Sequence, residues 1–339
     1  MNISDNVYKK TFWTPSEVIE FVENQPELEF IWGPISEGTT GIVVGPAKLG
    51  KTTLTENLSC NIAAGRDSFL GKTIGKNDFK IALALLEEPI RLRGNRHKKI
   101  INSFNELERE LIESRLTYLG DYPGYLTSSD LRDKFYSDVK ENSPNILVID
   151  SLSRLTEKKI SESDVASKVM KWLRKMNSDL NMTTIVIHHT TKLYDSTFPS
   201  MDNIKGSTEI IQESDYAIGI GKMKGMTCFK TIVSRYHPEE KEYSYIKLNE
   251  NNTFTLVDTK TEEQALKDSD GRYDDTRIKE FEDKIIELIN NSDNEIVKTS
   301  QIIESVEFGE RQVFELLKKL KKDGKLEQPA IGKYKLMSE

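Results

Sequence analysis

Between Thr40 and about Val257 the chain alternates short apolar, β-rich runs with stretches long enough for helices. The runs are Thr40–Val44, Lys80–Leu86, Ile146–Ile149 and Thr183–His188. They are nearly continuous in hydrophobicity rather than alternating, which is the pattern of strands covered on both faces by crossover helices. An α/β fold with a mostly parallel sheet flanked by helices is therefore expected. From Tyr216 the spacing tightens. Tyr216–Lys222, Thr227–Arg235 and Tyr243–Leu248 are separated by short turns, so the sheet is expected to end in an antiparallel extension.

On either side of this large domain, placed at residues 30–257, the pattern changes. Residues 1–29 hold one helix-like stretch, Pro15–Glu23, with Val18, Ile19, Phe21 and Val22 apolar. Residues 258–277 are polar and charged with almost no apolar periodicity, which reads as a linker. Residues 278–339 recover a pattern. Phe281, Ile285, Ile286 and Ile289 keep helical spacing, Thr299 can cap a short helix, and Val313, Phe314, Leu317 and Leu320 line another helix face that Gly324 stops. Lys325-Leu326 and Tyr334–Leu336 then read as a hairpin. Three short helices and a hairpin make a small winged helix-turn-helix domain.

Composition narrows the class. The 339 residues are 37% hydrophobic and 30% charged, enough for a packed core. No apolar run approaches the ~18 residues of a membrane span, and the N-terminus lacks an apolar signal core, so a cytoplasmic location is expected. Cys60 and Cys228 stand alone, which excludes a disulfide framework or a Cys-ligated metal site. The net charge of −7 argues against a protein that coats polyanions with its whole surface. Charge is unevenly spread, however. Arg311, Lys318, Lys319, Lys321, Lys322, Lys325, Lys333 and Lys335 outnumber the acidic residues between Glu307 and Leu336, so a local basic site is possible in the tail.

The strongest motif is Gly45-Pro46-Ala47-Lys48-Leu49-Gly50-Lys51-Thr52, a full match to G-x-x-x-x-G-K-[ST]. A β-branched strand leads in and a helix leads out. Gly45 and Gly50 let the backbone form a nest whose N–H groups point at phosphate oxygens, and the helix N-terminus adds positive potential. Lys51 reaches the β- and γ-phosphates, and the Thr52 hydroxyl suits Mg²⁺. The pattern predicts a nucleoside triphosphate site, with Thr53 at its edge. Ile146–Ile149 ends in Asp150, the acidic partner such a site needs for its metal. Ile81–Leu86 ends in Glu87-Glu88-Pro89, where a carboxylate can polarise water in line with the γ-phosphate. Glu87 is the first choice and Glu88 the reserve. Thr183–Ile187 ends in His188-His189, whose side chains point to opposite faces of a strand and so suit a polar sensor better than a metal site.

Together, GPAKLGKTT, NIAAGRDSFLG, ALLEEP, ILVIDSLSRL and TIVIHHTTK followed by KGSTEI resemble the RepA-like branch of the RecA/DnaB-type ATPases, the AAA_25 group. The resemblance covers about Phe30–Leu256. It implies a RecA-like P-loop core, ATP and Mg²⁺ as ligands, Lys51 and Thr52 on phosphate and metal, Glu87 as the catalytic carboxylate and Asp150 as the Walker B aspartate. It implies His188 and His189 as the sensor strand, and the loop Thr191–Ile204 as the contact to single-stranded DNA. Rings of this type complete each site with a cation from the next subunit, for which Lys205 and Arg235 are the candidates. The basic cluster Arg91, Arg93, Arg96, His97, Lys98 and Lys99 is either a solvated helix face or a contact to nucleic acid or a neighbour.

The resemblance implies an ATP-dependent DNA helicase or translocase, a homo-oligomeric hexameric ring, serving a plasmid, phage or other mobile element. The winged helix would meet duplex DNA or a protein partner. Two alternatives stay open: a non-translocating DNA-binding ATPase switch in recombination, regulation or defence, and a protein-directed regulatory ATPase with the winged helix as docking module.

Overall fold

The computed structural model describes residues 12–24, 30–75, 78–120, 122, 125–126, 128–160, 162–191, 193, 198–204, 208–223, 225–238, 241–269, 275–292, 296–305, 310–330 and 332–337. The chain divides into two compact units, Met1–Leu266 and Lys267–Glu339. In chain order the first unit contains α1 (Pro15–Glu23), β1 (Phe30–Trp32), β2 (Ile35–Ser36), β3 (Thr40–Gly45), α2 (Lys51–Ala63), β4 (Ser68–Phe69), β5 (Lys72–Thr73) and β6 (Ile81–Leu85). It continues with α3 (Ile90–Ile101), α4 (Glu106–Arg115), β7 (Leu116–Tyr118), α5 (Ser129–Asn142), β8 (Ile146–Asp150), α6 (Ser163–Leu180), β9 (Thr183–His189) and α7 (Thr208–Gln212). β10 (Tyr216–Met223), β11 (Met226–Ser234), β12 (Tyr243–Leu248) and β13 (Phe254–Lys260) follow, and the division at Leu266 falls within α8 (Glu262–Ser269).

Among the described residues nine strands form the central sheet, in the order β13-β12-β11-β10-β3-β9-β8-β6-β7. From β10 to β7 every neighbouring pair is parallel, and β10 through β13 are antiparallel. Two strands, β9 and β8, lie between the phosphate-loop strand β3 and β6. This is a RecA-like P-loop ATPase core with an antiparallel extension. Side chains leave each strand on alternate faces. Val43, Leu83, Val148 and Ile185 join the core under α2 and α4, with Leu54, Leu58 and Ile112. Ile42, Val44, Ala82, Ala84, Leu147 and Ile149 join the core under α5 and α6, with Phe135, Val169 and Leu173. Burial on both faces explains the continuous apolar runs. Among the described residues no helix is long and apolar enough to cross a membrane.

The expected linker at 258–277 is not one throughout. β13 runs through Lys260, paired with Tyr243, and α8 occupies Glu262–Ser269. A reciprocal cap starts that helix: Gln264 N–H donates to Thr261 Oγ1 at 3.4 Å, and Thr261 N–H donates to Gln264 Oε1 at 3.0 Å. Ala265 is fully buried beside Tyr243 and Tyr245, and Glu262 accepts from Lys230 Nζ at 3.0 Å. Leu116–Tyr118 was too short to stand out from the sequence, yet it forms the edge strand β7.

The second unit contains α9 (Asp275–Asn290), β14 (Val297–Lys298), α10 (Thr299–Ser305), α11 (Glu310–Lys322), β15 (Leu326–Ala330) and β16 (Lys333–Leu336). Its three-stranded sheet has the order β14-β16-β15. Phe281, Ile285, Ile289, Ile302, Val313, Leu317 and Leu320 form its core. Two details depart from expectation. Phe314 is 49% exposed while Leu316 is buried, because the buried stripe of α11 follows 313, 316, 317 and 320. Thr299 does not cap α10: it is the first residue of the helix, and its hydroxyl donates to the Gly332 carbonyl at 3.2 Å.

Candidate nucleotide site

The phosphate loop links β3 to α2. Gly50, with φ of +82°, is the residue before the helix, a conformation that only glycine adopts without strain. At Gly45 a side chain would meet the Ile220 carbonyl oxygen at 2.3 Å, so the close approach of β10 requires glycine there too. Lys51 begins α2 and is buried, its Nζ donating to the carbonyls of Gly45 at 2.9 Å and Pro46 at 2.8 Å. Burial lowers its pKa, while Asp150 and Glu87 act in the opposite direction. The ammonium thus lies folded against its own loop, at the floor of the cleft.

Asp150 ends β8 and is 3% exposed. Burial pushes its carboxyl up to about 6, against the hydrogen bond donated by Thr52. A hydroxyl and a buried carboxylate facing one another form an all-oxygen donor pair, which fits a hard cation such as Mg²⁺.

Glu87 follows β6 on a turn anchored to β8, its N–H donating to the Asp150 carbonyl at 3.2 Å. Its carboxylate accepts hydrogen bonds from Ser151 and, at 3.4 Å, from Ser153. His189 Nε2 lies 3.9 Å away and Arg154 Nε 3.8 Å away. Interaction with His189 contributes most to lowering Glu87 to about 2; burial opposes it, and Ser151 and Arg154 add to it. Glu87 is therefore ionised at neutral pH. Glu88 has a different environment: its Oε2 pairs with Arg96 Nη1 at 2.7 Å, and Arg96 Nε also bonds the fully buried Glu56. Tyr118 donates to Glu56 as well, and His97 Nδ1 stands 3.7 Å from it.

The basic cluster on α3 is therefore not uniform. Arg93 is 2% exposed and donates to the carbonyls of Leu85 and, at 3.0 Å, Leu119, tying together the ends of β6 and β7. Arg93 and Arg96 are three residues apart and share the inward face, while Arg91, Lys98 and Lys99 are exposed. Their i,i+3 spacing was legible in the sequence, but not which face turned inward.

The cleft, of about 680 Å³, is lined by Ala47–Thr53, Glu87, Glu88, Arg96, Asp150, Ile187 and His189, and on another side by Lys222, Thr227, Leu248 and Phe254. The last four were not foreseen. They belong to the antiparallel extension, which Asn57 of α2 fastens in place. Asn57 Nδ2 donates to the Asn252 carbonyl at 2.9 Å, and its Oδ1 accepts from Phe254 N–H at 3.3 Å. The ring of Phe254 approaches to 3.0 Å of where a Gly50 side chain would stand. A buried asparagine inside the phosphate-loop helix was the available signal.

Other expected site residues are placed elsewhere. His188 is 1% exposed and is not among the residues lining the cleft, so of the two histidines only His189 faces it. Lys205 lies outside the described residues. Arg235 is exposed at the end of β11. Strand register sets it beside Asp215 and level with Thr40, at the opposite end of β3 from its own chain's phosphate loop. Of the loop Thr191–Ile204, residues 192 and 194–197 lie outside the description. Its base is closed by a Thr190–Ile204 bridge and by Thr191 N–H donating to the Asn203 carbonyl at 2.8 Å. Phe198 and Pro199 pack over Gly219 and Gly221, and Phe198 meets Tyr243 edge-on at 4.8 Å, so Phe198 packs the loop.

Comparison with curated proteins finds no match. Among solved structures, the KaiC-like protein PH0186 of the hyperthermophilic archaeon Pyrococcus horikoshii OT3 is similar at 15% identity, over 66% of this chain and 91% of that one, with a TM-score of 0.49. The family model AAA_25, described as an AAA domain, matches residues 11–195, which include the phosphate loop, Glu87, Asp150 and His189. This chain belongs to the AAA_25 family and is a P-loop ATPase of the RecA-like class.

Proposed function

We propose that this ATPase is a DNA motor: an ATP-dependent helicase or translocase acting as a homo-oligomeric ring, hexameric as in the RepA-like branch it resembles, and serving replication of a plasmid, phage or other mobile element. The observation that carries this reading is the continuity of β9. The strand brings His189 to within 3.9 Å of Glu87 and one residue later enters the loop closed by the Thr190–Ile204 bridge. A change at the γ-phosphate end of the cleft therefore has a short covalent route to the loop assigned to single-stranded DNA.

Each group takes a defined part. The loop amides and Lys51 bind the phosphates, and Thr52 and Asp150 would hold Mg²⁺, which neutralises charge on the phosphate oxygens when bound. Glu87, ionised and braced by Ser151, orients the attacking water. Arg235, or Lys205, serves the nucleotide of a neighbouring subunit. The helix–strand–helix–helix–strand–strand order of the second unit supports a winged helix, which would contact duplex DNA or a protein partner.

ATPase rates with and without single-stranded DNA, together with strand displacement on a forked duplex, test the reading. Hydrolysis indifferent to DNA would sink it. The docking of Phe198 favours one second reading, a DNA-binding ATPase switch that does not translocate. DNA-stimulated hydrolysis without strand displacement would select it.

A further inference from the structure

The turn that follows β11 is fastened more firmly than an exposed arginine at the sheet's end would need. Arg235 N–H donates to the Asp215 carbonyl at 3.0 Å. The Asp215 carboxylate in turn accepts from Thr40 N–H at 2.9 Å and from Arg174 at 2.9 Å. This fixes the residue's near side. Its far side is closed by His237. The His237 N–H donates to Ser234 Oγ at 3.2 Å, and the Ser234 hydroxyl donates to the His237 carbonyl at 2.9 Å, so the two residues bracket Arg235 and Tyr236.

The His237 ring then reaches across the fold. Its Nε2 lies 2.6 Å from Ser36 Oγ, and its edge meets Phe30 with centroids 5.4 Å apart. Ser36 is a rigid anchor: it is buried, and its carbonyl accepts the Thr39 hydroxyl at 2.6 Å. The Arg235 guanidinium itself is exposed and rests on the Gln212 carbonyl.

We infer that His237 is a positioning residue that acts through Arg235, holding the root of that side chain at the angle needed to reach a neighbouring subunit's nucleotide. The inference rests on the proposed role of Arg235 in a neighbour's site. An arginine that engages a transition state must have both its side chain and its turn ordered, and a turn already fixed removes the second cost. Misplacement of about 1 Å costs on the order of 10²-fold in rate. The Ser36–His237 contact ties the arginine's turn to the first hairpin of the core, some two hundred residues earlier in the chain.

The test uses the full chain under oligomer-forming conditions, with ATPase kinetics on His237→Ala, His237→Gln, Ser36→Ala and Arg235→Ala. His237→Ala is expected to lower kcat by about tenfold or more, with KM for ATP unchanged within about twofold. His237→Gln, which keeps a polar atom near the Nε2 position, should recover most of the loss. Ser36→Ala removes one hydroxyl and should lower kcat in the same direction. Combined with His237→Ala it should add nothing further. Ser36→Ala decides the matter should His237→Ala fail to fold. If His237→Ala or Ser36→Ala leaves kcat within twofold of wild type while Arg235→Ala abolishes turnover, the positioning role is wrong and the trans role of Arg235 stands. If Arg235→Ala turns over normally, the trans role fails, and this inference with it.

Discussion

The carboxylate of Glu88 lies 2.7 Å from the guanidinium of Arg96, which also grips Glu56 beneath it. Its neighbour Glu87 bonds instead to Ser151 at the cleft, beside His189. Two adjacent acids of the cleft thus have separate partners, Glu88 pairing with the helix that follows and Glu87 with the turn after β8. Replacing Glu87 by Gln is expected to lower kcat by at least about 10²-fold with nucleotide binding retained, since general-base assistance contributes about 10²–10⁴-fold. Replacing Glu88 by Gln should cost less than about tenfold. Steady-state ATPase assays with a fluorescent-nucleotide titration decide this, and equal losses in the two variants would contradict the division of labour.

The pH profile follows from the lowering of Glu87 to about 2. A group with so low a folded-state pKa stays ionised throughout the range in which turnover can be assayed. Log kcat between pH 5 and pH 8 should therefore contain no step from Glu87. An acid limb in that interval that disappears in a residually active Glu87→Gln variant would contradict the assignment.

Glu56 is predicted to matter for stability. Burial pushes its carboxyl up, but the bonds from His97, Arg96 and Tyr118 outweigh burial, and its pKa lies below the ordinary 4.5. A depressed folded-state pKa means that the charged form stabilises the fold above pH 4.5 and that this contribution is lost as pH falls through the folded value. Glu56→Gln leaves Arg96 with Glu88 as its remaining carboxylate partner and should cost about 1–3 kcal/mol at pH 7. Urea unfolding of wild type and variant should show the gap narrowing on acidification below pH 4.5. A gap independent of pH would argue against the ion pair.

Asn57 joins the phosphate-loop helix to the hairpin that carries Leu248 and Phe254. Asn57→Ala leaves the buried Phe254 N–H and the half-buried Asn252 carbonyl without their bonds, at a cost of about 1–3 kcal/mol in stability. It should also weaken nucleotide binding, because the cleft loses a fixed wall. Isothermal titration with a non-hydrolysable ATP analogue reads the second effect, and unchanged affinity would show that the hairpin is no part of the site.

Legibility of the sequence tracked the range of the interactions involved. The phosphate loop, the strand ending at Asp150 and the strand before Glu87 are local patterns, visible because each is a contiguous run with one signal residue at its end. The Lys222–Phe254 wall was not visible, since it depends on an antiparallel extension folding back on α2 through Asn57. Arg93 and Arg96 looked like surface charge because composition does not reveal the carbonyls of Leu85 and Leu119 or the carboxylate of Glu56. The supposed linker misled for the opposite reason: its capping pair, Thr261 and Gln264, was local and overlooked amid the charge.

The two adjacent histidines of β9 limit how that strand can carry a message. His188 is sealed in the core while His189 faces the cleft, and the strand is hydrogen-bonded on both sides, to β3 and to β8. A slip by one residue would exchange its side chains between the two packed faces, Ile185 for Val186, and carry His189 away from the cleft, so translation along the strand is opposed by packing on both sides. On the proposed reading, a change at His189 would leave β9 as torsion at Thr190, swinging the root of the loop like a hinge pin rather than pushing it like a piston.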